Sequence, residues 1–286
     1  NNSYATTITS SATNNPNAIK LVGVATGTSG DVWGMEVEIN SPLNLYATGV
    51  GGGISLLTSQ KNTASNYEIV IRSAMEILAN GGDIKMLGGQ VLSGSTGISG
   101  GTWDGSATVA IGSKTGSSYV ASSSSNLTMN YDKYNWAAAY YPAVRTTGTV
   151  TWDGSGASTT GFGQAVDTGY FTFTGITGMK IGSLANTQSI SVSVVALSVA
   201  GPIEILAMGG TAADITFTTA VTNTANNSSI ILKASRDVVL KGTTSFTGTG
   251  ANTFTAMAGR DIYSNAAING ASGNPLTVNL YRSEER

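Results

Sequence analysis

The chain contains no cysteine and no histidine among its 286 residues. Disulfides, thiolate metal sites and redox switches are therefore excluded, as are histidine zinc sites, imidazole bases and the Ser-His-Asp and Cys-His triads. Charge is scarce too: Asp, Glu, Lys and Arg make up 10% of the chain and the net charge is −2, against ~25% charged residues in ordinary soluble domains. The lysines and arginines stand singly, so no basic stripe is ready to neutralise phosphates and nucleic acid is not an expected partner. Long apolar runs are missing. Stretches such as Trp136 to Tyr141 fall far short of the ~20 residues that cross a bilayer, and membrane insertion is not expected.

Several motifs are absent as well. There is no Ser-x-x-Lys nucleophile, no G-x-G-x-x-G or G-x-x-x-x-G-K-[ST] phosphate cradle and no G-G-x-G-x-D calcium repeat. No cofactor and no metal are expected. The chain starts at Asn1 without a Met or a charged-then-apolar leader, and it reads as a mature product or a piece of something longer.

What is abundant is Gly, Ser, Thr and Asn, and above all repetition. Ile230-Ile231-Leu232-Lys233-Ala234-Ser235-Arg236-Asp237-Val238 is followed 24 positions later by Phe254-Thr255-Ala256-Met257-Ala258-Gly259-Arg260-Asp261-Ile262. Asp214-Ile215 stands 23 positions before Asp237-Val238, and Val278 and Leu280 stand 24 after Phe254 and Ala256. A period of that size predicts stacked coils in which Ile230 and Phe254 are neighbours. A second, longer repeat has an offset of 160 to 161: Pro42-Leu43-Asn44-Leu45 matches Pro202-Ile203-Glu204-Ile205, and residues 69–78 line up on 230–239 without a gap. That match predicts about two coils in each half. It also makes residues 68–79 strand rather than helix, because their counterpart is β-branched and flanked by Gly and Asn.

The fold expected is all-β: a right-handed parallel β-helix, a solenoid of coils ~4.8 Å apart with Gly, Asn or Ser at corners where φ is positive. Its divisions are a frayed or edge segment over 1–18, coils over 19–112, an irregular loop and hairpin excursion over 113–175, coils over 176–281 and a charged tail over 282–286. Val32 to Asn40 alternates, with Met35, Val37 and Ile39 inward and Glu36 and Glu38 on a solvated face. The open ends of such a stack need capping or continuation, because unpaired N–H and C=O groups template another chain.

Ala258-Gly259-Arg260-Asp261-Ile262, its partner Ala234-Ser235-Arg236-Asp237-Val238, and Gly270-Ala271-Ser272-Gly273-Asn274-Pro275-Leu276 resemble repeats of the filamentous haemagglutinin-like adhesins, large bacterial exoproteins of the two-partner-secretion type. The likeness covers residues 200–280 and, more loosely, 40–92, while the middle third is unmatched. Asn15-Pro16-Asn17 is similar to a motif of that family's secretion domain, whose surrounding signature is absent. The resemblance implies a secreted or cell-surface β-helical stalk or adhesive module exported by an outer-membrane partner. Its partners would be a host-cell, glycan or protein surface, or copies of itself in a filament.

The aromatic cluster Tyr131, Tyr134, Trp136, Tyr140 and Tyr141 reads either as a recognition surface or as a small satellite core. Trp103-Asp104-Gly105-Ser106 recurs as Trp152-Asp153-Gly154-Ser155, a β-turn with its indole over a coil corner or a sugar-stacking Trp. The expectation is a non-catalytic protein. The enzymatic rival, a β-helix polysaccharide lyase or hydrolase, would draw on Asp104, Asp132, Asp153 and Asp167. Arg236–Asp237 and Arg260–Asp261 are expected to stack as solvated charge ladders. Thr-Phe-Thr at 172–174, 216–218 and 253–255 recurs too irregularly for an ice-binding face.

Overall fold

The computed structural model describes residues 5–25, 33–38, 40–60, 67–89, 102–105, 109–112, 114–115, 118–119, 124–131, 133–136, 142–154, 161–162, 164–167, 172–193, 196–197, 199 and 201–283. At 25, 33, 60, 67–68, 102–105, 114–115, 118–119, 133–136 and 196–197 the backbone alone is described. Among these residues the chain is all-β without a helix, and its sheets are mostly parallel. It divides into two compact units: residues 1–150 with 154–158 and 170–175, and residues 151–153 with 159–169 and 176–286.

The second unit shows why the period is 23 to 24. From Gly178–Ser183 the chain passes to Ile190–Val192, then to Ala196–Leu197, and returns at Pro202–Ala207 alongside the strand it started from. The same three-station circuit continues through Ile215–Phe217 and Val221–Asn223, then Ser229–Ala234, Asp237–Leu240 and Thr244–Phe246. A last round runs through Asn252–Ala258, Asp261–Ser264 and Ile268–Gly270 to Leu276–Arg282. Three parallel ladders result. In the first, Ile203, Ile230, Phe254 and Val278 are successive partners, and Ile230 does stand beside Phe254. In the second, Ile190, Ile215, Val238 and Ile262 are partners, as the 23-residue spacing predicts for Ile215 and Val238. Because strand side chains alternate between faces, every second residue of each rung joins a buried column, and Ile203, Ile205, Ile230, Leu232, Phe254 and Ala256 are buried.

The first unit uses longer circuits. Leu43–Gln60 is an 18-residue strand that takes two partners end to end on one side, Thr6–Ser10 along 43–47 and Ile19–Ala25 along 54–60. On its other side lies Met75–Leu87, which in turn pairs with Val109–Gly112 and Leu127–Asn130. Between its two halves the ladder bends over glycines: Gly51 and Gly81 have φ of 71° and 83°, and a Cβ on Gly82 would lie 2.3 Å from the Gly52 carbonyl carbon. Only residues without a side chain allow the two bends to nest this closely. A separate ladder joins Trp33–Val37, Tyr67–Ile71, Thr102–Gly105 and Lys133–Trp136. Ile54, Leu56, Ile84, Met86, Leu127 and Met129 fill the core.

Three expectations are modified. The 160-offset match does not join equivalent positions: Ile203 pairs directly with Ile230, whereas their counterparts do not meet, Leu43 pairing with Met75 and Ile69 with Met35. The cause is circuit length, since one circuit carries Ile84 to Leu127, 43 positions on, and another Ile54 to Ile84, 30 positions on. The middle third keeps its strands in the ladders. Leu127–Asn130 lies on Ile84–Leu87, and Ala143–Arg145 lies between Ala110–Gly112 and Thr172–Thr174. An antiparallel hairpin, Lys114–Thr115 with Ser118–Tyr119, is also present there. Finally, Glu36 is half-buried and not simply solvated, with Arg72 Nη1 3.4 Å from its Oε1. Burial and then Glu38 raise its carboxyl above the usual range against the opposing pull of Arg72. Ile39 lies outside the described residues.

Candidate functional site

The aromatic residues singled out in the sequence separate on inspection of their surroundings. Tyr131 is 0% exposed, with the buried Thr58 hydroxyl donating to its phenol oxygen at 3.4 Å. Trp152 is also 0% exposed and meets Phe162 edge to face, with centroids 6.2 Å apart and an interplanar angle of 79°. Both are core residues with no ring face to offer a partner, so for them the recognition reading gives way to packing. Trp103, Tyr134 and Trp136 have only their backbone described, in neighbouring ladder strands, and Tyr140 and Tyr141 lie outside the described residues. Of the enzymatic candidates, Asp153 is half-buried and Asp167 accepts a hydrogen bond from the Ser193 hydroxyl. The side chain of Asp104 and the whole of Asp132 are outside the described set. Among the described residues, no three Asp or Glu side chains converge as a metal site would require.

The most organised polar feature lies in the second unit, where successive circuits bring Asp214, Asp237 and Asp261 into line. Arg236 forks onto Asp214, its Nε donating to Oδ1 at 2.7 Å and its Nη2 to Oδ2, and the Asp237 backbone N–H donates to the same Oδ1 at 3.2 Å. One rung on, Arg260 forks onto Asp237 in the same way, with Nε to Oδ1 at 2.9 Å, and the Asp261 N–H completes the pattern at 3.2 Å. Arg282 closes the series with Nη1 3.4 Å from Asp261 Oδ1. The expected ladder exists, but its bonds run between rungs. The sequence neighbours Arg236 and Asp237 approach only to 4.0 Å, Arg236 lying in the bend before the strand that begins at Asp237.

Hydrogen bonds from the Arg260 guanidinium hold the Asp237 carboxyl below its usual range, outweighing the opposing effect of burial. A depressed carboxyl pKa stabilises the fold above the unfolded value of about 3.9, and that contribution is lost as pH falls through the folded value. Thermal melts followed from pH 6 downward should therefore show a loss of stability below about pH 4 that is reduced in Asp237→Asn, which carries no titrating carboxyl.

Alongside this ladder runs a groove of about 660 Å³ whose lining includes Met208, Met257 and Tyr281 together with Arg236, Arg260 and Arg282. Met257 and Tyr281 are ladder partners one rung apart on the outward face, and both are exposed. Comparison with known proteins finds no matching family model, no matching curated protein and no matching solved structure. The fold and surface thus define a class, an all-β protein of parallel ladders with an arginine-lined outer groove.

Proposed function

We propose that the chain is a right-handed parallel β-helix acting as an extracellular, non-catalytic structural and adhesive module of a bacterial surface exoprotein. The reading of the strands as one winding is supported above all by the second unit, where the chain visits three parallel ladders in strict rotation and aligns apolar residues such as Ile203, Ile230, Phe254 and Val278 in a column. A secreted location and an outer-membrane export partner rest on the resemblance of the Arg-Asp repeats to filamentous haemagglutinin-like adhesins. A surface low in charge and lacking cysteine suits that setting.

Adhesion is assigned to the groove. Each guanidinium has five N–H donors and a carboxylate fork uses two of them, leaving donors to meet the hydroxyls or carboxylates of a glycan. Tyr281 and Met257 supply the apolar wall on which a sugar face or a protein side chain rests. The test is binding to an array of neutral and acidic glycans, run beside incubation with the same polysaccharides to look for new reducing ends. Binding without cleavage is the expected result, weakened about tenfold by combining Met257→Ala with Arg260→Gln. Cleavage that disappears in Asp153→Asn or Asp167→Asn would replace the adhesive reading with the enzymatic one.

A further inference from the structure

The charged residues lining the groove beside the ladder are all arginines: Arg236, Arg260 and Arg282 border it, and no Asp or Glu does. The aspartates that pair with them lie behind. The Asp237 side chain is 6% exposed against 56% for Arg260, and that of Asp214 21% against 38% for Arg236, so a molecule entering the groove meets guanidinium first. Each fork also leaves one edge of its guanidinium open. Arg236 and Arg260 give Nε and one N–H of Nη2 to the aspartate of the preceding rung, and their longer approaches to a carboxylate, at 4.0 and 3.8 Å, are made by Nε as well. Their Nη1 groups have no partner among the described residues. With the second N–H of Nη2, each Nη1 forms an end-on fork that fits one more carboxylate.

We propose that the groove takes a linear polyuronate, a glycan with a carboxylate on each sugar residue, laid along the ladder so that successive carboxylates reach Arg236 and Arg260. This ligand class rests on the reading of the groove as the adhesive site. Its direction follows from the stacking. Met208, Arg236, Met257 and Arg260 come from three successive circuits, whose first-ladder strands, Pro202–Ala207, Ser229–Ala234 and Asn252–Ala258, are each paired on both sides. The groove therefore crosses rungs on the outward face, and these residues owe their exposure to that face and not to an unpaired edge. Like groups recur along it once per rung, ~4.8 Å apart. A chain of identical units suits such a row. An extended peptide does not, since its residues on one face recur every ~6.6–6.8 Å and fall out of step with the rungs. The floor is built from small residues, with Ala234 and Ala258 as ladder partners and Ser235 and Gly259 beside them, which leaves width for a sugar ring. Met257, 38% exposed, gives the less polar face of that ring an apolar wall.

The test is calorimetric titration of the full 286-residue chain with short oligomers of galacturonate, beside the same oligomers with every carboxylate methyl-esterified. The acid form should bind, with an affinity that falls as salt rises, and esterification should weaken it about tenfold or more. Arg236→Lys combined with Arg260→Lys keeps both charges and removes both end-on forks, and should also cost about tenfold. Met257→Glu sets a carboxylate in the groove without touching either fork. It should weaken the acid oligomers by about the same factor and leave the thermal melt unchanged. Esterified or neutral glycans bound as tightly as the acid form would overturn the ligand class and leave the adhesive reading standing. Tighter binding of polyglutamate or of dextran sulfate would overturn it too, in favour of a peptide or of sulfate. Affinity indifferent to Met257→Glu, or no binding to any glycan, would overturn the groove's adhesive role together with its ligand.

Discussion

Phe254→Ala should lower stability by about 3–5 kcal/mol, the cost of emptying a large buried site, read as a fall in the urea midpoint at unchanged m. Phe254 is 0% exposed and stands in the first ladder of the second unit between Ile230 and Val278. Strands in a parallel ladder are held at a fixed spacing by their backbone hydrogen bonds, so neighbouring rungs cannot close over the space a benzyl group leaves. The contrast that makes the test specific lies one rung later in the same column. Val278→Ala should cost under about 1 kcal/mol, because that side chain is already 41% exposed. Equal losses at the two sites would mean that burial in this column is not what stabilises it.

The second large effect is expected from a polar residue. Asn223 is 0% exposed, and its side chain serves the preceding circuit and its own corner together. Its Oδ1 accepts from the N–H of Val199 and of Ala225, each at 3.2 Å, and its Nδ2 donates to the Val199 carbonyl at 3.1 Å. Asn223→Ala leaves two N–H groups and one carbonyl without these partners in a place water does not easily reach. With roughly 1–3 kcal/mol for each unsatisfied buried group, and less than full additivity, the loss should be about 3 kcal/mol. Asn226 makes a similar bond across rungs, accepting from the Thr249 N–H at 2.7 Å, but it is exposed. Its replacement by Ala should cost under about 1 kcal/mol, since water takes over the freed donor. Comparing chemical denaturation of the two variants separates burial from the mere presence of a bond.

These contrasts show where sequence reasoning reached its limit. Asn at the corners was legible: Asn14, Asn40 and Asn227 have positive φ, as do Gly51, Gly81 and Gly250, the conformations these residue types favour. Which asparagines are buried was not legible, because the burial of Asn223 and the exposure of Asn226 depend on what the neighbouring circuits place over them. The same holds for Tyr131 and Trp152. For each the sequence left recognition and packing open, and the structure places both in the core. The groove is not legible in the sequence for a related reason: Met208, Met257 and Tyr281 come from three different circuits and meet only in the folded unit.

By itself the sequence determined the partners in the second unit. Where the circuit keeps to 23 or 24 residues, the spacing of like side chains is the length of the circuit, and the partners Ile215 and Val238, Ile230 and Phe254, and Phe254 and Val278 can be read directly. Only the tertiary structure decided the pairings of the first unit, because circuits there vary, from 29 residues between Ala143 and Thr172 to 43 between Ile84 and Leu127, and follow no fixed period. It also decided that each arginine reaches the aspartate of the preceding rung and not the one beside it in sequence. The physical reason is common to both: a strand's neighbours are set by how far the chain travels before it returns, and that distance is written locally only when it stays constant.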